Sequence, residues 1–236
     1  MKYVGSKNRL AKELAPIIQS YITDKTEWYI EPFVGGANMM DKINHDKRIG
    51  FDIQKNLIAL LRYLQTGLQL PLTISEEEYL LVRDNKEGYP DWYVGLVGFC
   101  ATFGAKYFGG YARGFKADKT TPRDMPNEAI RNLEKQRESL KGVLFRNKSF
   151  LELDPTKMEN CVVYCDPPYR DTTEYATDSF PYGEFYDWCK EVAKNNTVLV
   201  SEYSMPDEFT CIWEKEHKTG LDVTEHKIRM ERLFTI

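Results

Sequence analysis

The sequence predicts a doubly wound α/β fold, and three observations support this prediction. Short β-like runs alternate with helical apolar stripes between residues 28 and 64. Further β-like runs appear between residues 143 and 201, again with a helical segment among them. Three of the runs end in a glycine turn or an acidic residue, which is typical of strands whose carboxyl ends line a ligand site.

The first half of the chain carries a strand, turn, helix, strand, helix pattern. Its last helix shows a stripe of five leucine or isoleucine residues, and its second strand ends in Asp52. Such alternation is typical of a βαβ unit whose functional groups follow the strands. The predicted elements are, in chain order, helix 7–20, strand 28–30, turn 31–36, a helix beginning near Ala37, strand 48–52 and helix 56–64.

The pattern changes between residues 71 and 140, which we predict to be a mainly helical inserted domain. Ser75 followed by three glutamates is typical of a helix start. Aromatic residues recur every fourth position from Phe99 to Phe115, which favours a buried helix face, and the glycines among them predict a break into a loop near Gly109. The elements predicted after the insertion are strands 143–145, 161–165 and 197–201, helix 182–194, and a hairpin of 208–216 and 226–236 at the sheet edge.

Composition narrows the class of protein. A chain of 236 residues with 42% hydrophobic residues can bury a sizeable core. No apolar run approaches the ~18 residues of a membrane span, and the first residues lack the apolar stretch of a secretion signal, so we expect a soluble cytoplasmic protein. The cysteines are odd in number, and the pair Cys161 and Cys165 lies in a β-like run with no histidine nearby, which predicts free, mostly buried thiols and no metal site.

The net charge of −4 conceals an uneven distribution. Residues 2–12 hold four lysines or arginines and no acid, and residues 106–148 hold eleven against five acids. This asymmetry can place a basic face on an acidic protein, which binding to phosphates requires. An ordinary solvated helix surface explains the same charges equally well, so charge alone leaves both interpretations open.

The sequence Phe33-Val34-Gly35-Gly36, named here the glycine turn, follows the first strand. It lacks the G-x-G-x-x-G pattern of dinucleotide sites and therefore favours a smaller adenosine ligand. Its glycines would let the backbone approach that ligand closely, and Asp52 could accept hydrogen bonds from two ribose hydroxyls. A turn made tight for packing alone is the alternative.

The sequence Asp166-Pro167-Pro168-Tyr169, named here the acid motif, follows the apolar run 161–165. An acid at the end of a buried strand carries a desolvation cost that a functional partner would explain. Two prolines fix the backbone and offer carbonyl groups without N–H groups, which suits a substrate amino group. The amine could give one hydrogen to Asp166 and one to the Pro167 carbonyl, and Tyr169 could stack on a base rotated out of a duplex.

The acid motif, the glycine turn and the stretch Tyr3-Val4-Gly5-Ser6-Lys7 together resemble the Dam-type, or D12 class, DNA adenine N6-methyltransferases of bacteria and phages. The motif order, with 129 residues between Gly36 and Asp166, is that of the α group of these amino-methyltransferases. The resemblance covers nearly the whole chain. It implies a Rossmann-like methyltransferase core of residues 1–70 and 141–236, with a DNA target recognition domain at 71–140.

The resemblance also implies S-adenosylmethionine as methyl donor, with direct in-line transfer to adenine N6 and no metal. Asp166 or water then takes the proton. Ser149 stands where the family commonly has an acid. The implied catalytic residues are Asp166, Pro167, Pro168 and Tyr169, and the implied cofactor-binding residues are Tyr3, Gly5, Ser6, Lys7, Phe33, Gly35, Gly36, Asp52, Ser149, Phe150 and Asp166.

The inserted segment supplies candidates for DNA contact. Its sequence Phe-Gly-x-Lys followed by Gly-Gly-Tyr-Ala-Arg resembles the recognition regions of Dam-like enzymes. Arg113 is the candidate for bidentate reading of guanine, and the other basic residues would contact phosphates. The predicted DNA-binding residues are Arg9, Lys106, Arg113, Lys116, Lys119 and Arg123.

The sequence thus predicts a site-specific adenine N6-methyltransferase of the restriction–modification kind, acting on double-stranded DNA as a monomer or a transient dimer. Ser201 and Tyr203 are predicted to border the target-base pocket, and residues 170–180 to close over cofactor or base. The alternatives are a methylase of another planar amino group, cytosine N4 or protein glutamine, and a non-catalytic DNA-binding protein that retains the fold. Asp166 favours adenine, because cytosine N4 enzymes of this type generally carry Ser there and glutamine methylases Asn.

Overall fold

The computed structural model describes residues 1, 3, 5–169, 180–218 and 228–236. The α-helices in these ranges are α1 (Ala11–Ser20), α2 (Lys55–Gln65), α3 (Glu76–Asp84), α4 (Asp91–Cys100), α5 (Met125–Glu134) and α6 (Tyr182–Ala193). The strands are β1 (Trp28–Glu31), β2 (Arg48–Asp52), β3 (Leu144–Asn147), β4 (Cys161–Cys165), β5 (Thr197–Glu202), β6 (Thr210–Lys218) and β7 (Ile228–Thr235). Of the predicted closing loop 170–180, all residues but Phe180 lie outside the described ranges.

The strands follow the order β3-β2-β1-β4-β5-β7-β6 in a mixed sheet. Strands β1, β4 and β5 run parallel, whereas β7 runs antiparallel to both β5 and β6. Chain order proceeds outward from the β1–β4 pair, through β2 to β3 on one side and to β5 on the other, and only the final β6–β7 pair departs from it. This reversal at the β1–β4 pair defines a doubly wound sheet. The predicted fold class is therefore confirmed, as is the hairpin of the last two strands in its described part.

The chain forms two compact units, each described here by itself. Unit 1 comprises Met1–Lys12, Val34–Ile43 and Gly50–Asn147, and unit 2 comprises Glu13–Phe33, Asn44–Ile49 and Lys148–Ile236. The boundaries of a recognition domain at 71–140 stay a prediction.

Unit 1 is built around the pair α2 and α4. A Cβ added at Gly95 on α4 would lie 2.2 Å from the Asn56 carbonyl oxygen on α2, so glycine lets these two helices approach closely. The leucine stripe of α2 is buried as its spacing predicts. Arg62 of the same helix donates through Nε and Nη2 to the Phe145 carbonyl of β3, at 2.9 and 2.7 Å.

Unit 2 holds the buried strand β4 between two parallel neighbours. All five residues of β4 are buried, which explains a continuous apolar run rather than an alternating one. Helix α6 buries Phe185 and Trp188, and the Trp188 indole N–H donates to the Leu153 carbonyl at 2.9 Å. The carboxyl end of β4 is held by strand pairing, since Cys165 lies opposite Val200 of β5.

The cysteines follow the prediction made from their number and spacing. All five are free thiols, four of them buried and Cys211 exposed. Among the described residues, no helix combines the length and the apolar character needed to cross a membrane.

The predicted helix beginning near Ala37 is wrong. Ala37 has a φ of +54°, a left-handed conformation that no α-helix contains, and only the 3₁₀ turn Met40–Lys42 follows. The Ala37 carbonyl accepts the Asp41 N–H at 3.2 Å, and the side-chain amide of the distant Gln136 lies 3.3 Å from both the Gly36 and the Ala37 carbonyl oxygens. Similarly, helix α1 starts at Ala11, and Lys7–Arg9 form a separate 3₁₀ turn.

The predicted helix through the aromatic repeat is also wrong, because α4 ends at Cys100 and not near Gly109. Thr102 is extended, and its hydroxyl donates to the Lys106 carbonyl at 2.7 Å while accepting the Gly109 N–H at 3.0 Å. A threonine hydroxyl that serves a loop in this way competes with helix formation. The aromatics at four-residue spacing therefore do not share one helix face.

Candidate active site

In unit 1 the glycine turn places backbone N–H groups against a carboxylate. Gly35 N–H donates to Asp52 Oδ2 at 3.0 Å, and Val34 N–H donates to the Phe51 carbonyl at 2.8 Å. Gly35 has a φ of +47°, and a Cβ there would lie 2.9 Å from Cε1 of Tyr3. An L side chain would be strained in that conformation and would collide with the ring, so this position requires glycine.

Asp52 ends β2, and each of its carboxylate oxygens accepts one backbone hydrogen bond. Oδ2 accepts the Gly35 N–H, and Oδ1 accepts the Gln54 N–H at 2.9 Å. Burial raises the pKa of the Asp52 carboxyl, and the two backbone hydrogen bonds oppose that effect. A carboxylate has about four lone-pair positions, so two backbone bonds leave acceptor capacity for a vicinal diol. These groups therefore fit the ribose of an adenosine cofactor.

Residues near the amino terminus surround the same turn. The Tyr3 ring lies against Gly35, and its centroid is 5.7 Å from that of Phe99. The Ser6 hydroxyl accepts a hydrogen bond from Asn38 Nδ2 at 2.8 Å. The Ser6 N–H donates to the Tyr3 carbonyl at 3.1 Å. The structure thus connects four predicted cofactor residues of unit 1 through these contacts: Tyr3, Ser6, Gly35 and Asp52.

Lys7 is a buried lysine in this region, with 7% of its surface exposed. It begins the 3₁₀ turn Lys7–Arg9, and its Nζ lies 3.4 Å from the Gly5 carbonyl oxygen. A buried ammonium group is rare unless it has ionic or ligand partners. Cofactor contacts by Lys7 and Gly5 stay predictions.

In unit 2 the acid motif begins directly after the last residue of β4. Asp166 is half-buried and Tyr169 is buried. The Tyr182 hydroxyl donates to the Pro168 carbonyl at 2.9 Å, and the Tyr169 hydroxyl donates to Glu231 Oε1. The motif is therefore anchored at its second proline and its aromatic residue, while Asp166 remains partly accessible.

Buried tyrosines and acids line one face of the sheet of unit 2. The Tyr29 hydroxyl donates to Glu31 Oε1 at 2.8 Å, and the hydroxyls of Tyr164 and Ser201 are 2.8 Å apart. The strand register places Tyr29, Tyr164 and Ser201 on the same face. Burial, and next the charge of Asp166, hold the pKa of Tyr164 well above its ordinary value. Tyr164 is thus a neutral hydrogen-bonding group in the strand that leads into the acid motif.

Three buried acids of unit 2 are not among the predicted site residues: Glu31, Glu202 and Glu231 are 2%, 1% and 4% exposed. Glu31 and Glu202 each end a strand, which is the signal that singles out Asp52. Glu231 lies inside β7 among basic and apolar residues, where no comparable signal exists. Buried carboxylates require hydrogen-bond partners, and Tyr169 supplies one to Glu231.

Phe33 and Phe150 belong to an aromatic cluster in unit 2. Their ring centroids are 5.5 Å apart, and both contact Phe180 and Phe185. Ser149 precedes Phe150 as the cap of a 3₁₀ turn: its N–H donates to Glu152 Oε2 at 2.7 Å. Contact of these residues with a cofactor adenine stays a prediction, and the capping role is an additional function of Ser149.

Four of the six predicted DNA-binding residues lie on one hairpin of unit 1. Phe115 forms an antiparallel bridge with Pro122, and Asp118 closes the tip by accepting from the hydroxyl and N–H of Thr121. Those hydrogen bonds lower the pKa of the Asp118 carboxyl to about 2. We name residues 113–123 the basic hairpin, and its basic residues are Arg113, Lys116, Lys119 and Arg123.

Both arginines of the basic hairpin are held by glutamates of unit 1. Arg113 makes two hydrogen bonds to Glu76, with Nε to Oε2 at 3.0 Å, and Arg123 Nε donates to Glu128 Oε1 at 2.6 Å. Exposed pairs of this kind contribute only about 0–1 kcal/mol, so a nucleic-acid acceptor could replace the carboxylate. The two other predicted residues, Arg9 and Lys106, are exposed elsewhere in unit 1.

A comparison with protein families agrees with these motifs. Residues 3–217 match the family model described as "D12 class N6 adenine-specific DNA methyltransferase". The chain belongs to this family. Membership of the D12 class confirms the resemblance drawn from the glycine turn and the acid motif, both of which lie inside the matched range.

A similar protein of known class is the Type II methyltransferase M.FokI of Planomicrobium okeanokoites. It is 25% identical to this D12-class chain over 213 residues, which cover 80% of the chain and 31% of M.FokI. The chain therefore spans about a third of the length of the curated relative that it matches.

Solved structures also resemble the D12-class chain at low identity. The putative methylase HI0767 from Haemophilus influenzae has a TM-score of 0.40 at 15% identity, covering 97% of this chain and 96% of that one. An rRNA methylase from Streptococcus thermophilus has a TM-score of 0.41 at 10% identity, covering 96% and 97%. The fold assignment rests on the strand order of the chain itself.

Proposed function

We propose that this chain is a site-specific DNA adenine N6-methyltransferase that uses S-adenosylmethionine. The observation that carries the proposal is the acid motif at the carboxyl end of the buried strand β4. That strand end lies beside the reversal of strand order, where α/β proteins bind their ligands. The substrate in this proposal is a base turned out of double-stranded DNA, since the amino group of a stacked base is inaccessible to the motif.

The acid motif would bind the adenine amino group through two acceptors. The Asp166 carboxylate takes one hydrogen, and a proline carbonyl takes the other, because prolines contribute acceptors without donors. The Pro168 carbonyl already accepts the Tyr182 hydroxyl, which supports Pro167 as the second acceptor. Two acceptors on one amine draw its nitrogen toward sp³ geometry and localise the lone pair, so that a weak nucleophile becomes reactive.

The transfer step would need no covalent intermediate on the protein. Bound S-adenosylmethionine supplies a methyl carbon on a sulfonium sulfur. The adenine N6 amine would accept that methyl group in place of one hydrogen, and Asp166 or water would take the released proton. Tyr169 offers its ring to the base, and its buried hydroxyl fixes where that ring lies.

The cofactor would be held in unit 1 by the groups around the glycine turn. Asp52 has acceptor capacity for the ribose hydroxyls, and Gly35 keeps the backbone open where a Cβ would collide with Tyr3. These features fit an adenosine ligand better than a metal or a dinucleotide. Lys7, a buried residue of the same unit, would contact the cofactor carboxylate in this proposal.

The basic hairpin would contact the DNA. Its four basic residues supply phosphate contacts, and the planar guanidinium of Arg113 suits bidentate reading of a guanine. The proposed acting species is a monomer in the cytoplasm of a bacterium or an infected host. The name of M.FokI as a Type II methyltransferase supports a place in a restriction–modification system.

The test is methylation of unmethylated plasmid with labelled S-adenosylmethionine, followed by single-molecule mapping of modified bases. We expect N6-methyladenine at one short sequence, and loss of transfer in Asp166→Ala. Asp187→Ala, an exposed acid on α6 of the same unit, is the matched control and should retain transfer. Label in protein or RNA but never in DNA would contradict the proposal, as would N4-methylcytosine.

A further inference from the structure

A hydrogen bond links the acid motif to the antiparallel strand β7. The Tyr169 hydroxyl donates to Glu231 Oε1 across 62 positions of sequence. Both side chains are buried, with 8% of Tyr169 and 4% of Glu231 exposed. The bond therefore forms away from solvent, where a hydrogen bond to a charged group is strong and where losing one partner is costly.

We propose that Glu231 is a positioning residue that holds the Tyr169 ring in the orientation needed by the target base. This inference rests on the proposed function, because it assigns Glu231 a part in presenting Tyr169 to a flipped adenine. Glu231 does not touch the reacting atoms in this proposal. It acts through the hydroxyl at the far end of the tyrosine.

The surroundings of Tyr169 support an orienting role. The Tyr203 ring meets the Tyr169 ring edge-on, with centroids 4.6 Å apart and planes at 90°. The Arg229 guanidinium lies 5.0 Å from the centre of the Tyr203 ring, and Arg229 is two residues from Glu231 on β7. One ring contact and one hydroxyl contact together restrict both side-chain torsions of Tyr169, so β7 and its neighbours fix the plane of the ring.

The protonation state of the Tyr169 hydroxyl supports a lasting hydrogen bond to Glu231. Burial, and after it the charges of Asp166 and Glu231, raise the pKa of the Tyr169 hydroxyl well above its ordinary value. The hydroxyl therefore keeps its proton at neutral pH and remains a donor to Glu231. A ring held before the substrate arrives needs no reordering in the transition state, which is how preorganisation favours catalysis.

The decisive variants separate the ring from its anchor. Tyr169→Phe retains an aromatic face and removes only the hydroxyl, and Glu231→Gln retains an oxygen acceptor at the same place. Tyr29→Phe is the matched control, because the buried Tyr29 also donates to a buried glutamate in unit 2. Any general effect of removing a buried hydroxyl beside a carboxylate is then common to Tyr169→Phe and Tyr29→Phe.

The measurements are kcat and KM with saturating DNA that contains the mapped site, together with thermal unfolding of each variant. We expect Tyr169→Phe to lower kcat by at least about tenfold, the equivalent of one hydrogen bond's contribution to the barrier, with the KM for S-adenosylmethionine nearly unchanged. Glu231→Gln should keep kcat closer to wild type than Tyr169→Phe does. Tyr29→Phe should lower the melting temperature and leave kcat unchanged.

The outcomes distinguish failure of the proposed role of Glu231 from failure of the proposed methyltransferase function. Wild-type protein that transfers no methyl group to any DNA would refute the proposed function. Active wild-type protein with an unchanged kcat in folded Tyr169→Phe would refute only the role of Glu231, since the ring alone would then suffice. Equal losses of kcat in Tyr169→Phe and Tyr29→Phe would also overturn it, because they would reveal a general effect of stability. If Glu231→Gln fails to fold, the comparison of the two Tyr→Phe variants decides.

Discussion

Replacing Gly35 by alanine should weaken cofactor binding by more than its backbone strain explains. Gly35 has a φ of +47°, and the left-handed conformation costs an L residue about 1–2 kcal/mol. The new Cβ would also lie 2.9 Å from the Tyr3 ring, which must move. Overpacking of this kind costs about 1–3 kcal/mol where the neighbour cannot yield freely. The displaced ring is a predicted cofactor contact, so the second cost falls on binding.

Gly67→Ala isolates the backbone contribution. Gly67 has a φ of +77°, and nothing lies within 4 Å of a Cβ built there, so only the left-handed strain applies. For a chain of this size each kcal/mol lowers the melting temperature by about 2–4 °C, and both variants should show that loss. Calorimetric titration with S-adenosylmethionine should then show a Kd raised at least about tenfold in Gly35→Ala alone. Equal cofactor affinity in the two variants would refute the account of the glycine turn.

Three further predictions concern the charged groups of unit 1. Asp52→Asn replaces one carboxylate oxygen by an amide NH₂, so one of the two backbone N–H groups loses its acceptor. The free energy of unfolding should therefore fall by about 1–3 kcal/mol, measured by denaturant titration. Cofactor affinity, measured by calorimetry, should also fall. Arg113→Ala should relax the choice of DNA sequence in plasmid mapping and leave cofactor binding unchanged. Glu76→Gln removes the carboxylate that now holds Arg113, so it should raise DNA affinity in low salt. An unchanged site preference in Arg113→Ala would show that Arg113 does not read bases. Asp118 has a folded pKa of about 2, below its unfolded value, so its contribution to stability is present above about pH 4 and is lost as pH falls toward 2. Acid unfolding of Asp118→Asn should therefore lack that dependence, and a carboxyl resonance that titrates near pH 4 would contradict it.

The strands and the helices with strong apolar periodicity follow directly from the sequence. Strand β4 and helix α2 agree with their predicted positions because local composition and burial demand the same element there. The acid motif and Asp52 are recognisable because acids at the ends of apolar strands carry a desolvation cost that needs explaining.

The errors arise where a distant side chain decides the local backbone. Gln136 contacts the carbonyl groups of the turn at Ala37 from about a hundred positions away, and no local pattern predicts that contact. Thr102 organises its loop with one hydroxyl, although the aromatic spacing around it imitates a helix. The role of Glu231 also cannot be predicted from local sequence, because it is the pairing of β7 with β5 that brings this residue beside Tyr169.

Strand β7 occupies an internal position in the sheet although it comes last among the described strands. Until residues 228–235 have left the ribosome, the edge of β5 carries unpaired backbone groups and β6 has no neighbour to join. Tyr169 also lacks its acceptor until then, because Glu231 lies on that strand. The acid motif thus depends on the last described strand for its Tyr169–Glu231 hydrogen bond, and a chain that ends before residue 228 would present Asp166 without that bond.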